Sequence, residues 1–365
     1  MLKSILNNNR GIALILTLSI ISILIAGALE LNKNARNAVV SAATTRDRIT
    51  LSQIASSGIH TGMAILIKDK YDSETDSVQE AWADAENLHT LLKSNTFDNG
   101  SMTLKISDEL SRIQVNALVN FPESLNFNAL QMQLWDRFLR HMITLNEHNE
   151  NTDQVEIINA VKDWIDSGDD DAITGLSGAE SGYYQNLEPP YSCKNGPIQN
   201  TEELLMIKGI TPDIFYGSKT AEGISEYITP YGINIAKNIA KENKGNNGFT
   251  FNGKININTA GLCVLSALLP EEHKDLAQNI FDYRIEASGS AYLHDLSKPA
   301  WYRDVPGCSN IIIDPDLVTT SSDFFRIVST GSLKDMKTTI TAVVHREKEE
   351  KTGKWTCKIL SWQHE

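Results

Sequence analysis

Sequence motifs of the common enzyme classes are absent from this chain of 365 residues. It contains no His-Glu-x-x-His, no Gly-x-Ser-x-Gly and no glycine-rich phosphate loop, and its eight histidines are scattered. We therefore expect a protein that is not an enzyme. Cysteine is also scarce, and no Cys-x-x-Cys metal site can form because the four cysteines lie far apart. Two alternatives stay open for them, disulfides in an exported protein or four free thiols, and they concern Cys193, Cys263, Cys308 and Cys357.

The chain contains fewer basic than acidic residues, with 33 Lys and Arg against 46 Asp and Glu, and its formal net charge is −13. Neutralising the phosphates of a nucleic acid requires clustered Lys and Arg side chains. The charge balance thus argues against a nucleic-acid partner. The same balance suits hard cations such as calcium, which bind carboxylate oxygens.

Long hydrophobic runs are absent except for one near the N-terminus, where residues 12–29 carry no charge. As a helix they are barely long enough to cross a bilayer. Lys3 and Arg10 precede them and predict a cytoplasmic N-terminus with the body exported. A cleaved signal ending at Ala26-Gly27-Ala28, a plain anchor and a pilin-like N-terminus are the alternatives. The lack of proline before Pro122 favours the last, because one helix can then continue past the membrane.

The order of predicted elements indicates an α+β fold with an insertion. Hydrophobic spacing predicts a helix over 35–70 and further helices over 130–142 and 155–165. Alternation in Met102–Ile106 and Ser111–Val115 predicts a β-hairpin. Strand character returns near the C-terminus in three segments, residues 324–328, 339–344 and 355–362.

An acidic cluster begins at Asp163-Trp-Ile-Asp166 and is followed by several glycines. Carboxylates brought together repel one another unless a cation lies between them, and calcium accepts six to eight oxygens in flexible loops. The spacing does not match an EF-hand. A solvated acidic loop and the acid–base pair of an anchored calcium-dependent hydrolase, Asp163 with Asp166, are the alternatives. The candidate calcium ligands are Asp166, Asp169, Asp170, Asp171 and Glu180.

Two segments suggest helix-hairpin-helix units, which in DNA-binding proteins hold phosphate on a glycine-rich hairpin. Residues 203–215 turn at Lys208-Gly209, and Thr211-Pro212 provides an N-cap followed by proline at N1. Residues 255–284 repeat the pattern, but their hairpin has Pro-Glu-Glu-His in place of glycine. Packing modules are therefore favoured over a membrane-anchored DNA-uptake receptor or a type IV pilus minor pilin.

Taken together, the motifs resemble the minor pseudopilin K of type II secretion systems (GspK, general secretion pathway protein K), and the resemblance covers almost the whole chain. The order of the motifs is more specific than any one of them. They are Arg10-Gly-Ile-Ala-Leu-Ile15, Asp163-Trp-Ile-Asp166, Gly178-Ala-Glu180 with Tyr183-Tyr184, Pro189-Pro-Tyr191, Asn195-Gly-Pro197, Glu202-Glu-Leu-Leu205, Lys208-Gly-Ile-Thr-Pro212, Ile255-Asn-Ile-Asn-Thr-Ala260, Ser322-Asp-Phe-Phe-Arg-Ile327 and Trp362.

The resemblance implies a pseudopilin fold, in which a long N-terminal helix packs on an antiparallel sheet and a large, mainly helical domain is inserted between strands. It also implies a structural calcium ion in that domain. The expected parts are a leader over 1–11, a transmembrane helix over 12–30, the rest of the helix and the first strands over 31–120, an inserted domain over 121–320 and C-terminal strands over 321–365.

The family's biology implies that prepilin peptidase cuts after Gly11 and that Ile12 becomes a methylated N-terminus. The body would then lie in the periplasm of a bacterium, held by a single pass through the inner membrane. Major pseudopilins carry glutamate at the fifth mature position, where this chain has Leu16. Since that carboxylate pairs with the subunit nearer the tip, its absence fits a subunit that caps the tip and initiates assembly. The expected partners are minor pseudopilins I and J, prepilin peptidase and the inner-membrane secretion platform, with no nucleic acid.

Overall fold

The computed structural model describes most of the chain, with short gaps. The described residues are 10–92, 97, 100–121, 124–145, 153–169, 173–219, 222–235, 249–289 and 291–364.

The chain opens with one continuous helix, α1 (Arg10–Asp72), of 63 residues. Its first turns expose nearly every side chain, including Ile12, Leu16 and Leu24. An 18-residue window has a mean hydropathy of 2.7 with none of it buried, so length and composition allow α1 to cross a membrane. Among the described residues it is the one helix with these properties. The prediction of a helix that runs on past the apolar stretch is confirmed.

Four antiparallel strands form the main sheet, in the spatial order β1 (Gly100–Asp108), β10 (Phe324–Leu333), β11 (Met336–Lys348) and β12 (Trp355–His364). The predicted C-terminal strands are confirmed, but the predicted hairpin is wrong. β1 pairs with β10 instead, with Met102 opposite Gly331. The reason lies at Asp108, whose carboxylate accepts a hydrogen bond from Leu110 N at 2.7 Å and begins a 3-10 turn out of the sheet.

The second half of α1 packs on one face of this sheet at two glycines. A Cβ atom added to Gly58 would lie 2.0 Å from Ser329 Oγ, and one added to Gly62 would lie 2.9 Å from Ile327 Cγ2. Glycine has a low helix propensity, so the helical pattern of the sequence is weaker at these two positions. Here both residues allow the helix and sheet to approach closely.

The described residues between β1 and β10 form an inserted domain of helices and of strands two or three residues long. Its β2 pairs in parallel with β3, and β6 pairs in parallel with β9. The helices are α2 (Ala85–Leu92), which precedes β1, and then α3 (Ala129–Leu145), α4 (Gln154–Ile165), α5 (Ser181–Tyr184), α6 (Pro212–Tyr216), α7 (Leu262–Leu268) and α8 (Ala277–Ile285). The strands are β2 (Ile113–Gln114), β3 (Ile228–Thr229), β4 (Ile233–Ile235), β5 (Phe249–Phe251), β6 (Ile255–Asn256), β7 (Ala287–Ser288), β8 (Ala291–Tyr292) and β9 (Val318–Thr319).

Two separate hydrophobic cores confirm the α+β fold with an insertion. The smaller core lies between α1 and the main sheet and includes Ile59 and Phe325. The larger core fills the inserted domain around Trp135. This larger core includes Ile113, in the short segment that follows β1.

Candidate functional site

Two carboxylates lie at the C-terminal end of helix α4, Asp163 on its last turn and Asp166 directly after it. The helix is capped by Asp153, whose Oδ1 accepts a hydrogen bond from Val155 N at 2.9 Å. Asp163 and Asp166 follow three residues apart, which brings them to the same face of a helix. Both are fully buried. The helix ends at Ile165, so Asp166 begins the loop that leads to Glu180.

That loop folds back over Asp163 and binds it through main-chain amides. Asp163 Oδ1 accepts a hydrogen bond from Thr174 N at 3.1 Å, and Oδ2 accepts one from Ala179 N at 2.9 Å. Gly178 passes so close that an added Cβ would lie 2.1 Å from Asp163 Oδ2. The tight turn expected from the glycines thus serves to hold a carboxylate in place.

Glu180 closes the cluster and is the residue whose charge is least compensated. It is fully buried, yet neither carboxylate oxygen accepts a hydrogen bond of normal geometry. The thiol of Cys193, a weak donor, lies near it. Burial, followed by the charges of Asp163 and Asp166, raises the pKa of Glu180 to about 8. An ionised carboxylate in this environment requires a counter-ion.

The carboxylates of Asp163, Asp166 and Glu180 can together hold a metal ion. One oxygen from each lies within 4.8 Å of the other two. The Lys162 ammonium is the basic group in contact, on Asp166 Oδ2 and 3.8 Å from Asp163 Oδ1. Three carboxylates and one ammonium leave a net charge of −2 when all are ionised, which matches a divalent cation. An all-oxygen donor set is typical of calcium.

The structure brings together part of the predicted ligand set. Asp166 and Glu180 lie in the cluster, whereas Asp169 is exposed and contributes its charge from nearby. Asp170 and Asp171 lie outside the described residues. Asp163 was missing from the predicted ligands. Its three-residue spacing from Asp166 on a helix is the signal that could have identified it.

A second carboxylate cluster lies where α1 meets the inserted domain. Asp69, Asp76 and Glu80 also place oxygens within 4.8 Å of one another. Arg346 Nη2 donates to Asp76 at 2.5 Å, and Nη1 lies 3.3 Å from Asp69. Burial, followed by the charges of Glu80 and Asp76, raises the pKa of Asp69 to about 7. Glu80 accepts hydrogen bonds from Ser77 N at 2.9 Å and Trp82 Nε1 at 2.8 Å. Each carboxylate of this cluster therefore has a partner within the protein, unlike Glu180.

The first helix-hairpin-helix segment is a packing module. Its turn residue Gly209 has φ +85° and lies against Ile157 of α4. Lys208 beside it pairs with Glu156 and donates to Ser177 O at 3.1 Å. Thr211 caps α6 as predicted. Since the lysine and glycine contact the protein itself, this hairpin does not present them to a phosphate.

The four cysteines are free thiols, and the disulfides considered for an exported protein do not form in this structure. The physical reason is that the thiols have separate environments. Cys193 Sγ lies 3.3 Å from Asp163 O, and Cys357 Sγ lies 3.9 Å from Met63 O. Burial raises the pKa of Cys357 to about 11, which makes it unreactive.

Comparison with known proteins gives similarities along most of the chain. Residues 111–217 match the family described as Type II secretion system (T2SS), protein K. The chain is 25% identical to Type II secretion system protein K of Aeromonas hydrophila over 153 residues, covering 41% of this chain and 44% of that protein. It is 22% identical to the protein of the same name from Klebsiella pneumoniae over 300 residues, covering 80% and 81%. This chain thus spans less than half of the first relative and about four fifths of the second.

A solved structure has the same fold. It is described as the crystal structure of the GspK-GspI-GspJ complex from the enterotoxigenic Escherichia coli Type 2 Secretion System. The TM-score is 0.60 at 12% sequence identity, and the match covers 88% of this chain and 98% of that chain. At this identity the similarity establishes the fold.

Proposed function

Because this chain is related to protein K of type II secretion systems, as its sequence indicated, we propose that it is a minor pseudopilin that caps the tip of a short periplasmic pseudopilus. The observation that carries the proposal is an inserted domain that takes up more than half of the chain and lies between two neighbouring strands of the pilin-like sheet, β1 and β10. A body of that size beside the helix would prevent another subunit from stacking above it. In this role the chain initiates assembly and aids the export of folded proteins, and it has no catalytic activity.

The N-terminal half of α1 supports the proposal as the membrane anchor and assembly surface. Its apolar side chains are exposed in the isolated chain, including Ile12, Leu16 and Leu29. Before assembly they would lie in the inner membrane, with the body in the periplasm. Prepilin peptidase would cut after Gly11 and leave Ile12 as the new, methylated N-terminus.

Leu16 supports a position at the end of the filament. A carboxylate at this place in other pseudopilins would neutralise the N-terminus of the next subunit in a dry helix bundle. The uncharged side chain of Leu16 could not neutralise the N-terminal amine of a subunit placed above this one. The proposed contacts are therefore made below this subunit, with minor pseudopilins I and J, and they are heterologous.

Labelling of assembled filaments tests the capping role. The full chain is coexpressed with pseudopilins I, J and the major subunit of its own system, and the exposed side chain of Leu176, in the inserted domain, is changed to cysteine for gold labelling. We expect one label at one end of each filament and co-purification of all the minor subunits. A control label on the major subunit should mark the whole length. Labels of this chain spaced along the filament would contradict capping.

We also propose that Asp163, Asp166 and Glu180 hold a structural calcium ion. The unpartnered, buried Glu180 supports this, because its charge is otherwise uncompensated. The bound ion would connect the end of α4 to the residue that precedes α5, and would so stabilise the loop between them. Among the described residues, the loop amides of Thr174 and Ala179 occupy the oxygens of Asp163, which argues against its use as a catalytic acid or base.

Calcium should raise the melting temperature of the chain by several degrees, and chelator should reverse the shift. A ligand at 100 times its Kd stabilises the folded state by about 2.7 kcal/mol. Glu180→Gln keeps the shape but removes the charge, and should lose most of the shift in a calorimetric scan. Glu156, on α4, pairs with Lys208 outside the cluster, so Glu156→Gln should keep the shift. An equal shift in the Glu180→Gln variant would refute the site.

A further inference from the structure

Lys162 lies inside the carboxylate cluster, where a metal ion would bind. The residue is 6% exposed, and its ammonium contacts Asp166 Oδ2 and lies 3.8 Å from Asp163 Oδ1. A buried ammonium is costly unless it is paired, and these carboxylates pair it. One residue therefore supplies an internal cation to the same oxygens that would bind calcium.

The hydrogen bonds of the three carboxylates show which contact a metal ion would displace. Asp163 is held by the amides of Thr174 and Ala179, so its position is fixed by the loop. Glu180 has no hydrogen bond to give up. Asp166 Oδ1 accepts from Gly168 N at 2.7 Å, whereas Oδ2 is occupied by Lys162. The oxygen that must be released to a metal ion is the one bound to the lysine.

The ammonium also has a partner other than the carboxylates. The ring of Phe127 lies before α3, and its centroid is 5.7 Å from Lys162 Nζ in the position that also contacts Asp166. An aromatic face attracts an ammonium group at this distance. The four-carbon side chain of lysine is flexible, and its attraction to the ring does not depend on Asp166.

We infer that Lys162 is a built-in competitor of the metal ion. Its ammonium neutralises the carboxylates when no metal is bound, and it leaves Asp166 when a divalent cation enters. The inference rests on the calcium site proposed above. Lys162 then keeps the metal-free cluster folded and sets calcium affinity at the level where the metal can exchange.

Calorimetric titration of the full chain with calcium chloride tests this role. Lys162→Met should bind calcium about tenfold or more tightly than the unaltered chain, because a like charge is removed from the site. Lys162→Arg keeps the positive charge and should show no such increase in calcium affinity. Lys208→Met is the matched control, since this lysine reaches Ser177 O of the same loop but no carboxylate of the cluster.

Thermal unfolding gives a second measurement on the same variants. Without the ammonium, metal-free Lys162→Met retains three buried carboxylates with no cation, so its melting temperature in chelator should fall below that of the unaltered chain. Calcium should raise the melting temperature of Lys162→Met by more than it raises that of the unaltered chain. Equal or weaker calcium binding by Lys162→Met overturns the competitor role and leaves the site intact. Absence of binding by the unaltered chain overturns the calcium site itself.

Discussion

Replacing Arg346 with methionine should lower the free energy of unfolding by about 3 to 5 kcal/mol, because removal of one partner leaves buried charges uncompensated. The fully buried guanidinium joins three parts of the chain. It donates to Leu66 O of α1 at 3.0 Å, to Asp76 at 2.5 Å and to Ser322 O at 2.8 Å. Its plane also lies over the ring of Phe325, 4.7 Å from the centroid.

Urea unfolding of the full chain in detergent, followed by circular dichroism, measures this loss. The control is Arg140→Met, which removes an exposed ion pair with Asp136 on α3. Pairs of that kind contribute about 0 to 1 kcal/mol. Similar losses in the two variants would mean that Arg346 does not act as the counter-ion of the buried cluster.

Gly178→Ala should abolish most of the stabilisation by calcium and also weaken the metal-free protein. The added methyl group would meet Asp163 Oδ2 at 2.1 Å and Thr174 O at 2.7 Å, so the loop or the carboxylate must move. Overpacking of a well-packed site costs about 1 to 3 kcal/mol. The shifted carboxylate would no longer share an ion with Glu180. Melting curves in calcium and in chelator separate the two effects.

Gly196→Ala is the matched control for this variant. The nearest atom to its added methyl group is Lys194 O at 3.9 Å, which is an ordinary contact. It should respond to calcium as the unaltered chain does. A full calcium response in Gly178→Ala would show that the close approach to Asp163 has no part in forming the site.

Much of the fold followed from patterns that are local in the chain. The apolar run after Gly11 and the absence of proline specified α1, because helix formation depends on neighbouring residues. Alternation specified the C-terminal strands, and Thr211-Pro212 specified the start of α6. The order of weak motifs predicted the similarity to protein K, and with it the insertion.

The sequence by itself therefore determined the long apolar N-terminal helix, the α+β class and the acidic segment that ends at Glu180. Only the tertiary structure decided which carboxylates meet, because contact between α4 and Glu180 depends on how the loop folds back over Asp163. It also decided that β1 pairs with β10, more than 200 residues later, and not with its neighbour in sequence. Local spacing does not encode such contacts, since they form only when distant segments share a core or a counter-ion.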